Sequence, residues 1–329
     1  MAENFTQMRA FLLAAALLLA TGALAQDKPE DTLAAVIGVQ AKIQPNARSV
    51  ESLGAQRRGS GVLIREGYVL TIGYLVIEAE AVHLTSADGR TVPATVAGYD
   101  HASGLALLRV VGPLNAKPMP LGDSAGLAER EPGLVIPAPS REAPSLVHVV
   151  SRRPFSGSWE YMLDSAIFTY PPVADWSGAP LIGAKGELLG IGSLIVADAG
   201  APGTQSPGNM FVPIDLIKPI LDDLIADGRR RGPARPWLGV NADEFRGHLF
   251  VSRVSPEGPA ERAGLRAGDI VLQVGGEPVT TLAEFYRRIW GRGAAGVEVP
   301  LKVLQGAQLR DLSVRSIDRV EYFRASRTY

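Results

Sequence analysis

From Gly59 onward the chain is written in short apolar runs separated by glycine, proline and aspartate. Gly61-Val62-Leu63-Ile64 leads into the turn Arg65-Glu66-Gly67; runs follow at 68–71 and 81–85, then the turn Asp88-Gly89, then runs at 92–99 and 105–111. The pattern resumes at 165–170 and 188–196, the latter preceded by the turn Ala184-Lys185-Gly186. Short strands at this spacing predict a mainly β fold, a barrel or a sandwich.

Residues 214–227 change character. Leu216, Ile217, Ile220, Leu221, Leu224 and Ile225 follow helical spacing. Pro219 falls inside that pattern, within the first turn of a helix starting near Asp215, and Gly228 supplies a stop. Residues 229–236 are basic and rich in glycine and proline, which reads as a linker. A second unit follows over 237–317, with strands expected near 249–254, 270–274, 297–303 and 311–314 and a helix at 282–290. No internal repeat is visible.

The chain has 329 residues, enough for two ordinary domains. Its 33 basic residues balance 34 acidic ones, which gives no reason to expect nucleic acid as partner. It has no cysteine, so disulfides, thiolate metal sites and a cysteine nucleophile are excluded. No histidine pair has metal-ligand spacing, and no cofactor is implied. At the start, Arg9 precedes an apolar stretch over 10–25 that ends in Ala23-Leu24-Ala25. This reads as a signal peptide cleaved before Gln26, which places the mature protein in the periplasm or otherwise outside the cytoplasm. The stretch is shorter than the ~20 residues a spanning helix needs. A retained anchor is the alternative; no membrane span is expected after cleavage.

The order of several motifs resembles the HtrA/Deg serine proteases, a chymotrypsin-like double β-barrel followed by a PDZ domain. The residues that carry the likeness are Gly59-Ser60-Gly61-Val62, Tyr68-Val69-Leu70-Thr71, Asp88-Gly89-Arg90, Leu105-Ala106-Leu107-Leu108, Pro120-Leu121-Gly122-Asp123-Ser124, Ser177-Gly178-Ala179-Pro180-Leu181, Phe211-Val212-Pro213-Ile214-Asp215-Leu216 and Trp237-Leu238-Gly239-Val240. The implied division is a signal peptide at 1–25, an N-terminal segment at 26–58, a trypsin-like domain at 59–228, a linker at 229–236, a PDZ domain at 237–318 and a tail at 319–329.

Serine proteolysis needs a hydroxyl nucleophile, a base to take its proton and a group that orients the base. In the family the base is a histidine inside a Thr-x-x-His-Val motif; here Thr71-Ile72-Gly73-Tyr74-Leu75-Val76 puts Tyr74 in its place. An ordinary tyrosine has a pKa of about 10 and is a proton donor near neutrality. Tyr74 either serves as that donor or fills the space of a lost imidazole. The family aspartate belongs to Thr-Asp-Leu-Ala; here Ser103-Gly104-Leu105-Ala106 leaves Gly104, which can orient nothing. Asp100 and His101 lie nearby, on the approach loop, while His83, His148 and His248 match no catalytic position.

Ser177 keeps the nucleophile's position, inside Asp175-Trp176-Ser177-Gly178-Ala179-Pro180-Leu181, where the family prefers Gly-Asn-Ser-Gly-Gly-Pro-Leu. Asp175 replaces the glycine of the oxyanion hole and brings charge of the wrong sign towards a developing oxyanion. Trp176 is large enough to fill the cleft, and Ala179 is a milder change. Ser177 is then either a structural relic or a weak nucleophile with an unidentified base.

In the second unit, Trp237-Leu238-Gly239-Val240 corresponds to the PDZ loop whose backbone N–H groups hold a peptide's terminal carboxylate, with Leu238, Gly239 and Val240 as donors. Phe285 and Ile289 share one face of the expected helix and either wall the groove or belong to the core. Ser255-Pro256-Glu257-Gly258-Pro259-Ala260 and Ala263-Gly264-Leu265-Arg266-Ala267-Gly268-Asp269-Ile270 are the most family-like stretches and report fold. The resemblance implies an exported pseudoprotease that binds peptide or protein C-termini in envelope protein quality control or regulation. It also implies a homo-oligomer such as a trimer, or assembly with active relatives. The alternative is a divergent but active serine endopeptidase using Ser177.

Overall fold

The computed structural model describes residues 29–138 and 144–324; the expected signal peptide lies outside them. The chain divides into two units, one comprising Ser49–Arg153 and Ser165–Arg230 together with the residues up to Pro45, the other Asn46–Arg48, Pro154–Asp164 and Arg231–Tyr329.

Two closed six-stranded antiparallel barrels carry the mainly β character expected from the short apolar runs. The first contains β1 (Val36–Ile43), β2 (Gln56–Arg65), β3 (Tyr68–Ile72), β4 (Ala79–Thr85), β5 (Thr91–Asp100) and β6 (Leu105–Val110), in the order β1-β2-β3-β6-β5-β4. Inward residues such as Ile37, Leu70, Leu105 and Leu107 are fully buried, each contributing about 1.5–3 kcal/mol of apolar transfer. β1 lies upstream of Gly59, where the resemblance begins, yet closes this barrel by pairing with both β2 and β4.

The second barrel contains β7 (Pro132–Val135), β8 (Ser145–Gly157), β9 (Tyr161–Tyr170), β10 (Pro180–Ile182), β11 (Leu188–Val196) and β12 (Gly208–Pro213), in the order β10-β11-β12-β9-β8-β7. After β12 the expected helix is shorter than its apolar spacing implies. Ile214–Leu216 and Lys218–Ile220 are single 3-10 turns, and the α-helix covers only Leu221–Asp227. Pro219 has no N–H to give to a helical ladder, so regular α bonding starts beyond it.

The second unit holds β13 (Val240–Phe245), β14 (His248–Val254), β15 (Ile270–Val274), β16 (Glu277–Pro278), β17 (Glu298–Gln305) and β18 (Gln308–Arg315). Its sheet runs β13-β14-β15-β17-β18, so β13 is an edge strand. The helix Leu282–Trp290 forms where expected, started by a capping box between Thr281 and Glu284. Phe285, Tyr286 and Ile289 from this helix are fully buried with Leu238, Val240, Val271 and Val299. Among the described residues no helix is long and apolar enough to cross a membrane.

Candidate functional site: two clefts, each occupied by a side chain of the same unit

Ser177 stands on the turn that enters β10. Its carbonyl accepts the Ser60 N–H at 2.8 Å, and the next N–H, of Gly178, donates to the Gly192 carbonyl at 2.8 Å. Gly178 has φ +74°, and a Cβ there would meet the Ser60 carbonyl oxygen at 2.0 Å, so the residue after Ser177 must be glycine. These backbone bonds do not depend on the Ser177 hydroxyl.

Opposite it, β3 runs into the 3-10 turn Gly73–Leu75, which presents Tyr74. Tyr74 Oη lies 2.8 Å from Ser177 Oγ and 2.9 Å from the Ser193 carbonyl oxygen. The phenol has one proton for two acceptors. Whichever takes it, Ser177 Oγ faces a phenolic oxygen, a weak base near neutrality. Burial pushes the Tyr74 pKa up to about 12, against the opposing effect of its bond with Ser177. Trp176 closes the group by donating its indole N–H to the same Ser193 carbonyl at 3.2 Å. Asp175 is exposed.

Arg57 sets the height of the tyrosine turn. It is buried, and its guanidinium donates to the Tyr74 carbonyl at 2.7 Å, the Ile77 carbonyl at 3.2 Å and the Ser49 hydroxyl at 2.7 Å. Burial lowers its pKa. Sequence reasoning missed both Arg57 and Ser193: Arg57 precedes the first recognisable motif, and Ser193 acts through its carbonyl, which any residue has.

At the aspartate's place, Gly104 donates its N–H to the Asp100 carbonyl at 2.8 Å and accepts the Gly73 N–H at 2.7 Å. The neighbouring candidates are engaged elsewhere. The buried Asp100 carboxylate accepts the Ser103 N–H at 2.9 Å and two Arg230 bonds at 3.2 and 3.1 Å. The His101 ring packs on Tyr99 with centroids 4.3 Å apart. His148 lies against Tyr170, His248 against Phe250, and His83 is exposed on β4. Ser177 Oγ thus meets Tyr74, and none of the four imidazoles is its hydrogen-bond partner.

In the second unit the N–H groups of Leu238, Gly239 and Val240 converge, as the motif implies, and on a single acceptor. Glu160 Oε1 takes them at 3.2, 2.6 and 2.8 Å, and its Oε2 takes Leu238 again at 3.0 Å. Trp237 contributes no donor there, because its N–H bonds the Ile317 carbonyl at 3.0 Å; its ring packs on Tyr322. Phe285 and Ile289 are fully buried, and Met162 joins their cluster. Burial raises the Glu160 pKa above the ordinary carboxylate range, while the three N–H groups and the Arg319 guanidinium pull it down. Nothing in Trp159-Glu160-Tyr161 marks this glutamate as a partner for a loop 78 residues away.

Comparison with known proteins agrees with this layout. A trypsin-like peptidase domain model matches residues 59–191, and a PDZ domain model matches residues 250–305. A DegP-like periplasmic serine endoprotease of Halomonas elongata is 31% identical over 299 residues, covering 84% of this chain and 60% of that protein. The chloroplast protease Do-like 1 of Arabidopsis thaliana is 30% identical over 290 residues, covering 79% of this chain and 63% of that protein. The chain thus spans about three-fifths of the length of these relatives. A solved structure of the HtrA-type protease AlgW with decapeptide superposes with a TM-score of 0.54 at 22% identity, over 88% of this chain and 97% of that one, which supports the fold. The chain combines a trypsin-like peptidase domain with a PDZ domain. Its homologues are proteins of the HtrA/DegP type.

Proposed function

We propose that this is an exported HtrA-like protein that does not proteolyse, a pseudoprotease whose PDZ domain binds peptide segments in envelope protein quality control or regulation. The observation that carries the reading is the Tyr74–Ser177 contact at 2.8 Å, a phenol where a base is required. A serine needs its proton removed as it attacks, and a group with a pKa near 12 gives no help at neutral pH. Gly104 supplies no carboxylate to orient a base, and Asp175, where the resemblance implies the oxyanion-hole glycine, would bring negative charge towards a developing oxyanion. In serine proteases the loss of a single triad member costs about 10⁴-fold or more in rate, and further losses add little because the triad acts as a unit. Export is supported by the apolar stretch before Gln26 and by the periplasmic relative from Halomonas elongata.

The test is casein cleavage by the purified full chain beside its Ser177→Ala variant. Equal, background-level rates are expected. Cleavage that disappears in Ser177→Ala defeats the reading and restores the active-endopeptidase alternative.

A further inference from the structure

The converging N–H groups of the second unit are taken up by a carboxylate of the same chain. Three features define how a PDZ groove takes an extended peptide: N–H groups for a carboxylate, an edge strand for backbone pairing and an apolar pocket beside the helix. The segment Pro154–Asp164 meets all three. The Glu160 carboxylate receives the Leu238, Gly239 and Val240 N–H groups. Two residues earlier, the Ser158 carbonyl accepts the N–H of Ala242 on edge strand β13 at 3.0 Å. Two residues later, Met162 is buried among Leu238, Val240, Phe285 and Ile289.

Further observations show that this placement is built rather than incidental. Tyr286, from the groove helix, donates its hydroxyl to the Gly157 carbonyl at 2.6 Å and accepts the Glu160 N–H at 3.1 Å, clamping the backbone on both sides of Ser158. Glu160 itself adopts φ +54°, a left-handed conformation that costs a non-glycine residue about 1–3 kcal/mol and persists only where its surroundings over-determine it. A carboxyl buried to this degree requires compensating donors, and the loop supplies them from main chain alone.

We propose that Glu160 is a built-in ligand of the peptide groove, holding the place of a peptide's terminal carboxylate, so that an incoming chain end binds only by displacing residues 158–162. The proposal rests on the reading of the second unit as a peptide-binding domain, and the experiment separates the two. The probe is a fluorescein-labelled Ser-Gly-Ser-Trp-Met peptide, which joins the chain's own residues 156–159 to a terminal methionine. It is prepared with a free carboxyl terminus and as the amide, and titrated by anisotropy into the full chain, Glu160→Ala and Glu160→Gln. The free-acid peptide should bind Glu160→Ala at least about tenfold more tightly than wild type, equivalent to ~1.4 kcal/mol. Glu160→Gln, which keeps the shape but weakens the acceptor, should fall between them, and the amide should bind poorly throughout. Equal affinity of the free acid for all three proteins overturns the built-in ligand and leaves peptide binding standing. Binding by none of them overturns both. Without any peptide, amide hydrogen exchange at Leu238, Gly239 and Val240 should be at least about tenfold faster in both variants while Val299 and Leu301 in β17 are unchanged. Rates at the loop that match wild type also overturn the proposal.

Discussion

The cleft at Ser177 and the groove at Leu238-Gly239-Val240 are each filled by a side chain of their own unit, Tyr74 in one and Glu160 in the other. The occupants differ in kind. Glu160 places a carboxylate on converging N–H groups, so on the proposed reading removing it leaves a working site. Tyr74 places a phenol against Ser177, so on the proposed reading removing it leaves a serine that still has no base. On the two proposals above, the groove would act as a switch and the Ser177 site as a scaffold. The consequences of substitution at the two places should diverge accordingly.

The largest divergence is expected in the backbone beneath each site. At Gly178 an added Cβ meets the Ser60 carbonyl oxygen at 2.0 Å, and that oxygen also accepts the Thr71 hydroxyl at 2.6 Å, so neither can retreat. With the left-handed φ of +74°, Gly178→Ala should lose about 3–5 kcal/mol of stability. Gly239 has a similar φ of +82°, but its added Cβ meets side-chain atoms of Ser255 and Trp237 at 3.0–3.1 Å. Gly239→Ala should lose about 1–3 kcal/mol, mostly the backbone strain. Urea unfolding of both variants measures the difference, and equal losses would mean the serine turn is no more rigid than the carboxylate loop.

Much of the fold is legible in the sequence. The barrels are readable in the short apolar runs between turn residues, because turns and loops draw on few residue types. Tyr74 and Gly104 were legible as departures from a resemblance. What stayed hidden acts at long sequence separation through groups without a signature. β1 pairs with β4 across more than one intervening turn, Ser193 contributes only a carbonyl, and Arg57 ties Ser49 to the tyrosine turn. Glu160 was hidden most completely. Its partners are main-chain N–H groups, which leave no trace in composition, and its segment lies between β8 and β9, far from Leu238 in the sequence.

A smaller effect tests whether the Tyr74 hydroxyl is structural. Tyr74→Phe removes the bonds to Ser177 Oγ and the Ser193 carbonyl, but the carbonyl keeps the Trp176 indole donor, so a loss of about 1 kcal/mol is expected. The same hydroxyl gives a pH signature with a fixed sign. Its pKa is near 12 in the fold against ~10 in the unfolded chain, so between those values the native state holds more protons. The contribution is complete below pH ~10 and is lost as pH rises towards 12. Denaturant titrations across that window should show a fall for wild type that is shallower in Tyr74→Phe. Parallel curves would place the titrating group elsewhere.

The smallest expected effect is the sharpest test of the contrast, because it is expected to be no effect. Tyr74→His puts an imidazole where the family has one, opposite a serine whose turn is already held by Ser60, Gly178 and Gly192. If position alone were lacking, this one change would create cleavage that Ser177→Ala abolishes. The new imidazole would have no carboxylate to fix its tautomer, since Gly104 has no side chain and Asp100 is committed to Arg230. Loss of that orientation alone costs about 10⁴-fold in related sites. Asp175 and Trp176 would still stand where the resemblance implies Gly and Asn before the serine. Casein cleavage by Tyr74→His should therefore match that of Tyr74→His/Ser177→Ala. A clear excess in the single variant would make Tyr74 a plug in an otherwise competent enzyme, and the two clefts would then be blocked in the same sense.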